Sequence, residues 1–325
     1  MVKEPDLLDE FTPYFSKIDK ELGKVLDSDV SLIKELGSYS FFGGGKRLRP
    51  LFFILSCKLC DYHEEDVYPL STIFECLHAA SLLHDDVLDN ASIRRGRSSA
   101  NEIWGNSAAV LVGDFLFSKA SSMLVEKGDI EFLKMLVGTT TRMTEGQVLE
   151  LANTHNWGIT RKEYIGIITS KTAVLMSAAC ASAGVIAGAN KADIRSLRDF
   201  GLNTGKAFQI IDDVFDYTST VDETGKPIGN DLREGKITLP LIYTLACIED
   251  GEKYRLEHLF KNGLATKKDY TKVIELVRSN GAIRKCRKDA QDYAKLAETS
   301  LGPFPDSSIK ESLLKLNQFI VNRSY

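Results

Sequence analysis

Two five-residue stretches carry the clearest chemistry in the chain. Asp85-Asp86-Val87-Leu88-Asp89 and Asp212-Asp213-Val214-Phe215-Asp216 both read DDVxD. With 24 Asp in 325 residues, a shuffled chain holds one DDxxD roughly 0.13 times, so a matched pair is a signal. On a helix, residues four apart sit about 40° apart around the axis, so Asp85 shares a face with Asp89, and Asp212 with Asp216. Like charges crowded on one face repel, and the apolar neighbours Leu82-Leu83 and Ile210-Ile211 set both stretches against a core. A cation must compensate. Hard divalent metals do this, and Mg²⁺ takes one or two carboxylates and fills its other positions with water and phosphate. Two such helices facing each other would hold Mg²⁺-diphosphate. The plainer alternative is a pair of solvated faces with i,i+4 partners.

The second group is basic. Lys46, Arg47 and Arg49 follow Gly43-Gly44-Gly45, and Arg94, Arg95 and Arg97 follow the first acidic stretch by a few residues. Glycines let a backbone approach an anion closely, and Arg forks match phosphate oxygens in pairs. GGGKRLRP has neither the GxxxxGK[ST] spacing of a P-loop nor GxGxxG after a strand, which disfavours nucleotide binding by those routes. The net charge of -4 gives no global reason to bind nucleic acid. Two acidic clusters beside separate basic groups suit an enzyme that handles two diphosphates, one through metal and one directly.

The elements that position these residues read as helices. None of the eight prolines lies between residues 70 and 226, and proline is what helix interiors exclude. Tyr270, Val273, Ile274 and Val277 keep helical spacing, as do Ile309, Leu313, Leu316 and Ile320. The expected class is all-α, a single large domain spanning 1–325, with loops near 43–50, 90–106 and 218–236. Residues 172–190 carry no charge but are rich in Ala, Ser and Gly, which suits a buried central helix rather than a membrane span. The six cysteines are too sparse for a disulfide framework. Cys57-x-x-Cys60 with His63 has no second CxxC to complete a zinc site, so small residues in a buried helix are expected. Residues 1–10 are acidic and lack the apolar stretch of a secretory signal, which points to the cytoplasm.

At this point the chain resembles the trans-isoprenyl diphosphate (polyprenyl) synthases. The matching stretches are GGGKRLRP at 43–50, LLHDDVLDNASIRRG at 82–96, GDFLF at 113–117, EGQVLEL at 145–151, SKTAVL at 170–175, GKAFQIIDDVFDYT at 205–218, GKPIGNDLREGKITLP at 225–240 and FIVNR at 319–323. The resemblance implies antiparallel helices around a deep central cavity, usually in a homodimer, and head-to-tail condensation of isopentenyl diphosphate onto an allylic diphosphate. It implies about three Mg²⁺ per site, held through oxygen ligands. Asp85, Asp89 and Asp212 would ligate the metal, with Asp86, Asp213 and Asp216 supporting that shell. Arg94, Lys171, Lys226 and Lys236 would meet the allylic diphosphate. Lys46, Arg49, His78 and Arg95 would hold isopentenyl diphosphate. Thr172 and Gln209 would line the cavity near the developing cation. His84 would point about 100° away from Asp85 and is expected to be structural.

In this family bulky residues just before the first motif stop short products. Ala80 and Ser81 are small, Phe74 and Leu77 lie deeper, and Met123 and Met135 could form a more distant floor or simply fill a core. Residues 108–151 are most similar to octaprenyl-type synthases, which points to a product of about C40, with C15–C20 as the alternative. So greasy a product implies transient membrane contact at release without stable insertion. A terpene cyclase would need a differently spaced second metal motif, and a non-catalytic partner of a heteromeric synthase should have lost site residues. Neither condition is met.

Overall fold

The computed structural model describes residues 4–220 and 228–323. Seventeen α-helices follow in chain order among them. The first eight are α1 (Glu4–Asp9), α2 (Thr12–Val25), α3 (Ser31–Phe42), α4 (Leu48–Leu59), α5 (Val67–Leu88), α6 (Ala100–Trp104), α7 (Asn106–Lys127) and α8 (Ile130–Ala152). Next come α9 (Arg161–Ile168), α10 (Val174–Ile186), α11 (Lys191–Thr218), α12 (Asn230–Arg233), α13 (Leu239–Leu245) and α14 (Asp250–Lys261). The last three are α15 (Lys267–Ser279), α16 (Ala282–Ser300) and α17 (Ser308–Asn322). The all-α expectation holds. α15 and α17 carry the two apolar stripes read from the sequence, with Val273, Val277, Leu313, Leu316 and Ile320 buried. Ser307 caps α17 by accepting the Lys310 amide, which fixes where the chain resumes after Pro303 and Pro305.

The interior is two apolar clusters that share α4 and α10. Phe52 and Leu55 of α4 face one cluster while Phe53 and Ile54 face the other. Residues 174–184 of α10 are all buried, as a helix without a polar face must be. Its alanines and serines let α11 lie close, so the charge-free stretch is a core helix. Cys57 is buried in α4, and Cys60 forms the end of that helix. Among the described residues, no three His, Cys, Asp or Glu side chains are already drawn together around one point, so a metal held through one or two carboxylates would take its remaining ligands from water or substrate.

Two local features depart from the reading above. Residues 90–106 are not simply a loop. β1 (Ile93–Arg94) pairs antiparallel with β2 (Arg97–Ser98), and α6 follows. Arg95 and Gly96 form the two-residue turn, both at positive φ (52° and 71°), the backbone that matches strand twist. With only four paired residues, no alternating pattern announces it. The second feature is a π-helical turn at Thr169–Ala173 that joins α9 to α10. Such wide turns concentrate at functional sites, and this one carries Lys171 and Thr172. It is pinched between two glycines. A Cβ on Gly146 of α8 would lie 2.4 Å from the Lys171 backbone nitrogen, and one on Gly205 of α11 would lie 2.7 Å from the Ala173 Cα.

Candidate active site

Both acidic motifs sit in the last turns of long helices. Asp85 and Asp86 belong to α5 and Asp89 caps it, its amide bonding to the Asp85 carbonyl at 2.8 Å. Asp212, Asp213 and Asp216 lie within the last two turns of α11. The partial negative charge of a helix C-terminus makes carboxylates unfavourable there, so the surrounding cations decide whether these sites exist. Asp85, Asp89, Asp212 and Asp213 line one cavity of about 520 Å³.

Around the first motif the counter-charges are lysines from distant elements. Lys171 of the π turn lies 3.6 Å from Asp85 Oδ2 and 2.5 Å from Glu150 Oε2 of α8. Lys236, just past α12, lies 2.7 Å from both Asp89 Oδ2 and Glu234 Oε2, and 3.8 Å from Glu150 Oε2. Burial opposes the Lys236 charge, but Glu150, Glu234 and Asp89 outweigh it and push its pKa upward. Burial pushes the Asp85 carboxyl up, and Lys171 pulls it back. Asp86 is turned away from this network and buried, where its Oδ1 accepts from Arg94 Nε at 2.8 Å and also from Arg94 Nη2. Arg94 is therefore held by Asp86 at the cavity edge. Glu150 and Glu234 were missed from the sequence. Glu150 was visible only as the second acid of EGQVLEL, and Glu234 as an acid two residues before Lys236.

The second motif is held differently. Asp212 accepts from Arg323, which closes FIVNR at the chain's end and stacks over Phe208 and Phe215 at 4.4 and 5.2 Å. Asp213 is buried and accepts from Tyr164 Oη at 2.6 Å and Gln209 Nε2 at 2.8 Å. Burial pushes its carboxyl well up, Asp231 adds to this, and the two donors oppose it. Gln209 Oε1 in turn accepts from Thr172 Oγ1 at 3.0 Å. Asp216 accepts the backbone N–H groups of Asn230 (2.9 Å) and Asp231 (3.1 Å) at the start of α12. The six aspartates thus divide. Asp85, Asp89, Asp86 and Asp212 pair with Lys or Arg side chains, whereas Asp213 is held by a tyrosine and an amide and Asp216 by backbone N–H groups.

A second cavity of about 670 Å³ adjoins the first and shares Arg49, His78, Arg94, Gln209, Asp212 and Asp213 with it. Lys46, Arg49, His78 and Arg95 all line it. Positive φ at Gly44 and Gly45 carries the loop around them, and Arg95 donates to the Gly44 carbonyl. Lys46 lies over the Phe319 ring at 4.9 Å. Arg49 Nε is buried without a partner among the described residues, and burial disfavours its charge. Burial and then Arg49, Arg95, Arg94 and Arg47 hold the His78 imidazole well below its usual pKa, hence neutral. Such a cavity favours an anion. Arg47 is different: it bonds Asp19 at 2.9 Å and buried Glu75 at 3.0 Å, so it builds the fold. Lys226 lies outside the described residues.

The wall of the first cavity includes Leu77, Ala80 and Ser81 of α5, Phe117 of α7, Met143 of α8, Ile168 of α9 and Leu175 of α10. Met123 and Met135 are not part of it. Met123 packs against the second apolar cluster, and the Met135 sulfur accepts from Ser182 at 3.3 Å. Both methionines are half-buried, while Phe117 and Met143 line the cavity. Phe74 lies beyond the lining, in a ring cluster with Phe53 and Phe132 at 5.3 and 6.1 Å. His84 Nε2 sits 3.2 Å from the Val110 carbonyl and 3.4 Å from Asp114, directly under Gly113 of GDFLF.

The chain is similar to known proteins over most of its length. Octaprenyl diphosphate synthase of Escherichia coli is 36% identical over 300 residues, 92% of each chain. An all-trans-nonaprenyl-diphosphate synthase of Rhodobacter capsulatus is 36% identical, covering 98% of this chain and 97% of that one. A crystal structure of polyprenyl synthase from Caulobacter crescentus, complexed with calcium and isoprenyl diphosphate, superposes with a TM-score of 0.93 at 36% identity, covering 98% and 97% of the two chains. Similar proteins at 30–33% identity include a short-chain isoprenyl diphosphate synthase, a geranylgeranyl diphosphate synthase and component 2 of a heptaprenyl diphosphate synthase. Residues 30–277 match the polyprenyl synthetase family profile. The chain belongs to the polyprenyl synthetase family of enzymes.

Proposed function

We propose that this enzyme adds isopentenyl diphosphate head-to-tail to an allylic diphosphate and builds a long all-trans polyprenyl diphosphate of about C40. One observation carries the reading: a single cavity whose lining combines both acidic motifs with an apolar wall left open by small Ala80 and Ser81. The oxygen donors fit Mg²⁺, with Asp85, Asp89 and Asp212 as its holders. When bound, the metal supplies charge neutralisation of the leaving diphosphate. Lys171 and Lys236 bind the same diphosphate, exchanging their carboxylate partners for it, and Arg94 joins them while still held by Asp86. Lys226 is assigned to the same diphosphate on the sequence resemblance alone. Lys46, Arg49, His78 and Arg95 orient isopentenyl diphosphate, for which the unpartnered Arg49 Nε is poised. Thr172 and Gln209 face the carbon where positive charge develops, and the apolar wall keeps water from it. Released diphosphate takes the proton, so no side-chain base is required.

The whole chain works as one domain, in the cytoplasm, as a homodimer. An apolar stripe supports the pairing: Leu111 and Val125 of α7 and Ile130, Val137, Val148 and Leu151 of α8 are all at least half exposed. α7 is long and apolar enough to cross a membrane, yet only a third of that window is buried within the chain, which suits a face covered by a second copy. The test is incorporation of labelled isopentenyl diphosphate onto farnesyl diphosphate, with and without Mg²⁺. Metal-dependent elongation is expected. Products ending at C15–C20 would favour the short-chain alternative. No elongation from farnesyl, geranyl or dimethylallyl diphosphate would overturn the reading in favour of a subunit that needs a partner.

A further inference from the structure

A line of hydrogen bonds runs from the core to the cavity. Tyr164 on α9 is 3% exposed, and its hydroxyl donates to Asp213 Oδ2 at 2.6 Å. Asp213 Oδ1 accepts from Gln209 Nε2 at 2.8 Å, and Gln209 Oε1 accepts from Thr172 Oγ1 at 3.0 Å. The sense of this line follows from the inventory of donors. Both Asp213 oxygens accept, one from the Tyr164 hydroxyl and the other from Gln209, which turns its amide N–H₂ toward Asp213. Its carbonyl then faces Thr172, and a carbonyl also only accepts, so the Thr172 hydroxyl must donate to it. The lone pairs of the Thr172 oxygen are thereby left uncommitted. Tyr164, Thr172, Gln209 and Asp213 all line the same cavity, and Thr172 rides on the π turn that α8 and α11 clamp. A hydroxyl presenting its oxygen stabilises a nearby positive carbon, whereas one presenting its hydrogen opposes it.

We propose that Tyr164 is a positioning residue for prenyl transfer: its hydroxyl pins the Asp213 carboxylate, which fixes the amide of Gln209, which makes Thr172 donate and keep its lone pairs for the developing cation. The inference rests on the function proposed above. Without the Tyr164 hydroxyl one oxygen of Asp213 loses its anchor, the carboxylate rotates, and the sense of the amide is no longer fixed. Tyr164 itself touches no reacting atom.

The test is a double-mutant cycle of Tyr164→Phe and Thr172→Val, reading single-turnover elongation of labelled farnesyl diphosphate, KM for both substrates, and Tm. Each single variant is expected to lower the rate roughly 10- to 100-fold with KM within about twofold and little change in Tm. The double variant is expected to be no slower than Thr172→Val alone. Losses that multiply, a loss that tracks Tm, or a change in KM alone would overturn the proposal. If Tyr164→Phe does not fold, fluorinated tyrosines at position 164 preserve shape and change the acidity of the donor. A rate that shifts with that acidity supports the line, and an unchanged rate overturns it. A wild-type chain that elongates but shows multiplying losses sinks this inference alone; one that elongates nothing sinks the proposed function and this inference with it.

Discussion

The two DDVxD motifs are the same word in two different sentences. The first is held by Lys171 and Lys236, long side chains from the π turn and from beyond α12, together with Glu150 and Glu234. The second is held by Arg323 from the chain's end, by Gln209 one turn earlier, by Tyr164, and by backbone N–H groups of α12. Their surroundings diverge just as much. Five residues before each motif stands an alanine. Ala80 lines the first cavity, whereas Ala207 is wholly buried in the first apolar cluster. Seven residues before stand His78, which lines both cavities, and Gly205, which lets α11 touch the π turn. Both motifs reach the first cavity, but the helix before the first lines it while the helix before the second is packed into the core. An identical local pattern supplies the same carboxylates, and the tertiary neighbours assign everything else.

The comparison can be broken at its most similar point. Asp85→Ala and Asp212→Ala are each expected to lower kcat about 10³-fold, because charge neutralisation at the departing diphosphate is the largest contribution. Steady-state kinetics with farnesyl diphosphate would show it, and a loss at only one motif would separate their roles. The middle and last aspartates sharpen it. Asp86→Asn leaves the partly buried Arg94 without its carboxylate and should cost about 3 kcal/mol of stability in a denaturant melt. Asp216→Asn loses only part of its hold on two backbone N–H groups and should cost about 1 kcal/mol.

The alanine pair gives a difference in kind. Ala80→Phe should shorten the product ladder while the first condensations survive. Ala207→Phe should leave product length alone and destabilise the fold by about 1–3 kcal/mol through overpacking. Chain length analysed by chromatography after dephosphorylation, beside thermal melts, reads both. An unshortened ladder from an active Ala80→Phe enzyme would misplace the tunnel. The smallest expected effect is at His78. Burial and four arginines hold its folded-state pKa well below the ordinary 6.5, so below that pH the unfolded chain binds a proton that the folded chain refuses. Stability contributed there is present above about pH 6.5 and lost as pH falls. His78→Gln should flatten that part of the stability–pH curve.

Much of the fold was legible because its signals are local. The proline-free stretch, the apolar stripes of α15 and α17 and the small-residue helix α10 need no knowledge of neighbours. The two motifs were legible as chemistry because six carboxylates in such spacing demand cations. What was not legible depends on partners far along the chain. Glu150 joins the site only because α8 passes the π turn at Gly146. Whether Met123 and Met135 form a distant floor or fill the core could not be read from spacing, which does not tell a cavity wall from a packed interior; neither lines the described cavity. The hairpin at Arg95-Gly96 was too short to leave a pattern.

The central claim is that the two motifs are halves of one metal–diphosphate site. The most direct measurement is Mn²⁺ uptake by the full chain, followed by EPR in the presence of inorganic pyrophosphate, for the wild type, Asp85→Ala and Asp212→Ala. The account predicts pyrophosphate-dependent uptake that either substitution alone abolishes. Uptake retained at wild-type affinity in either variant would show two independent acidic patches and contradict it.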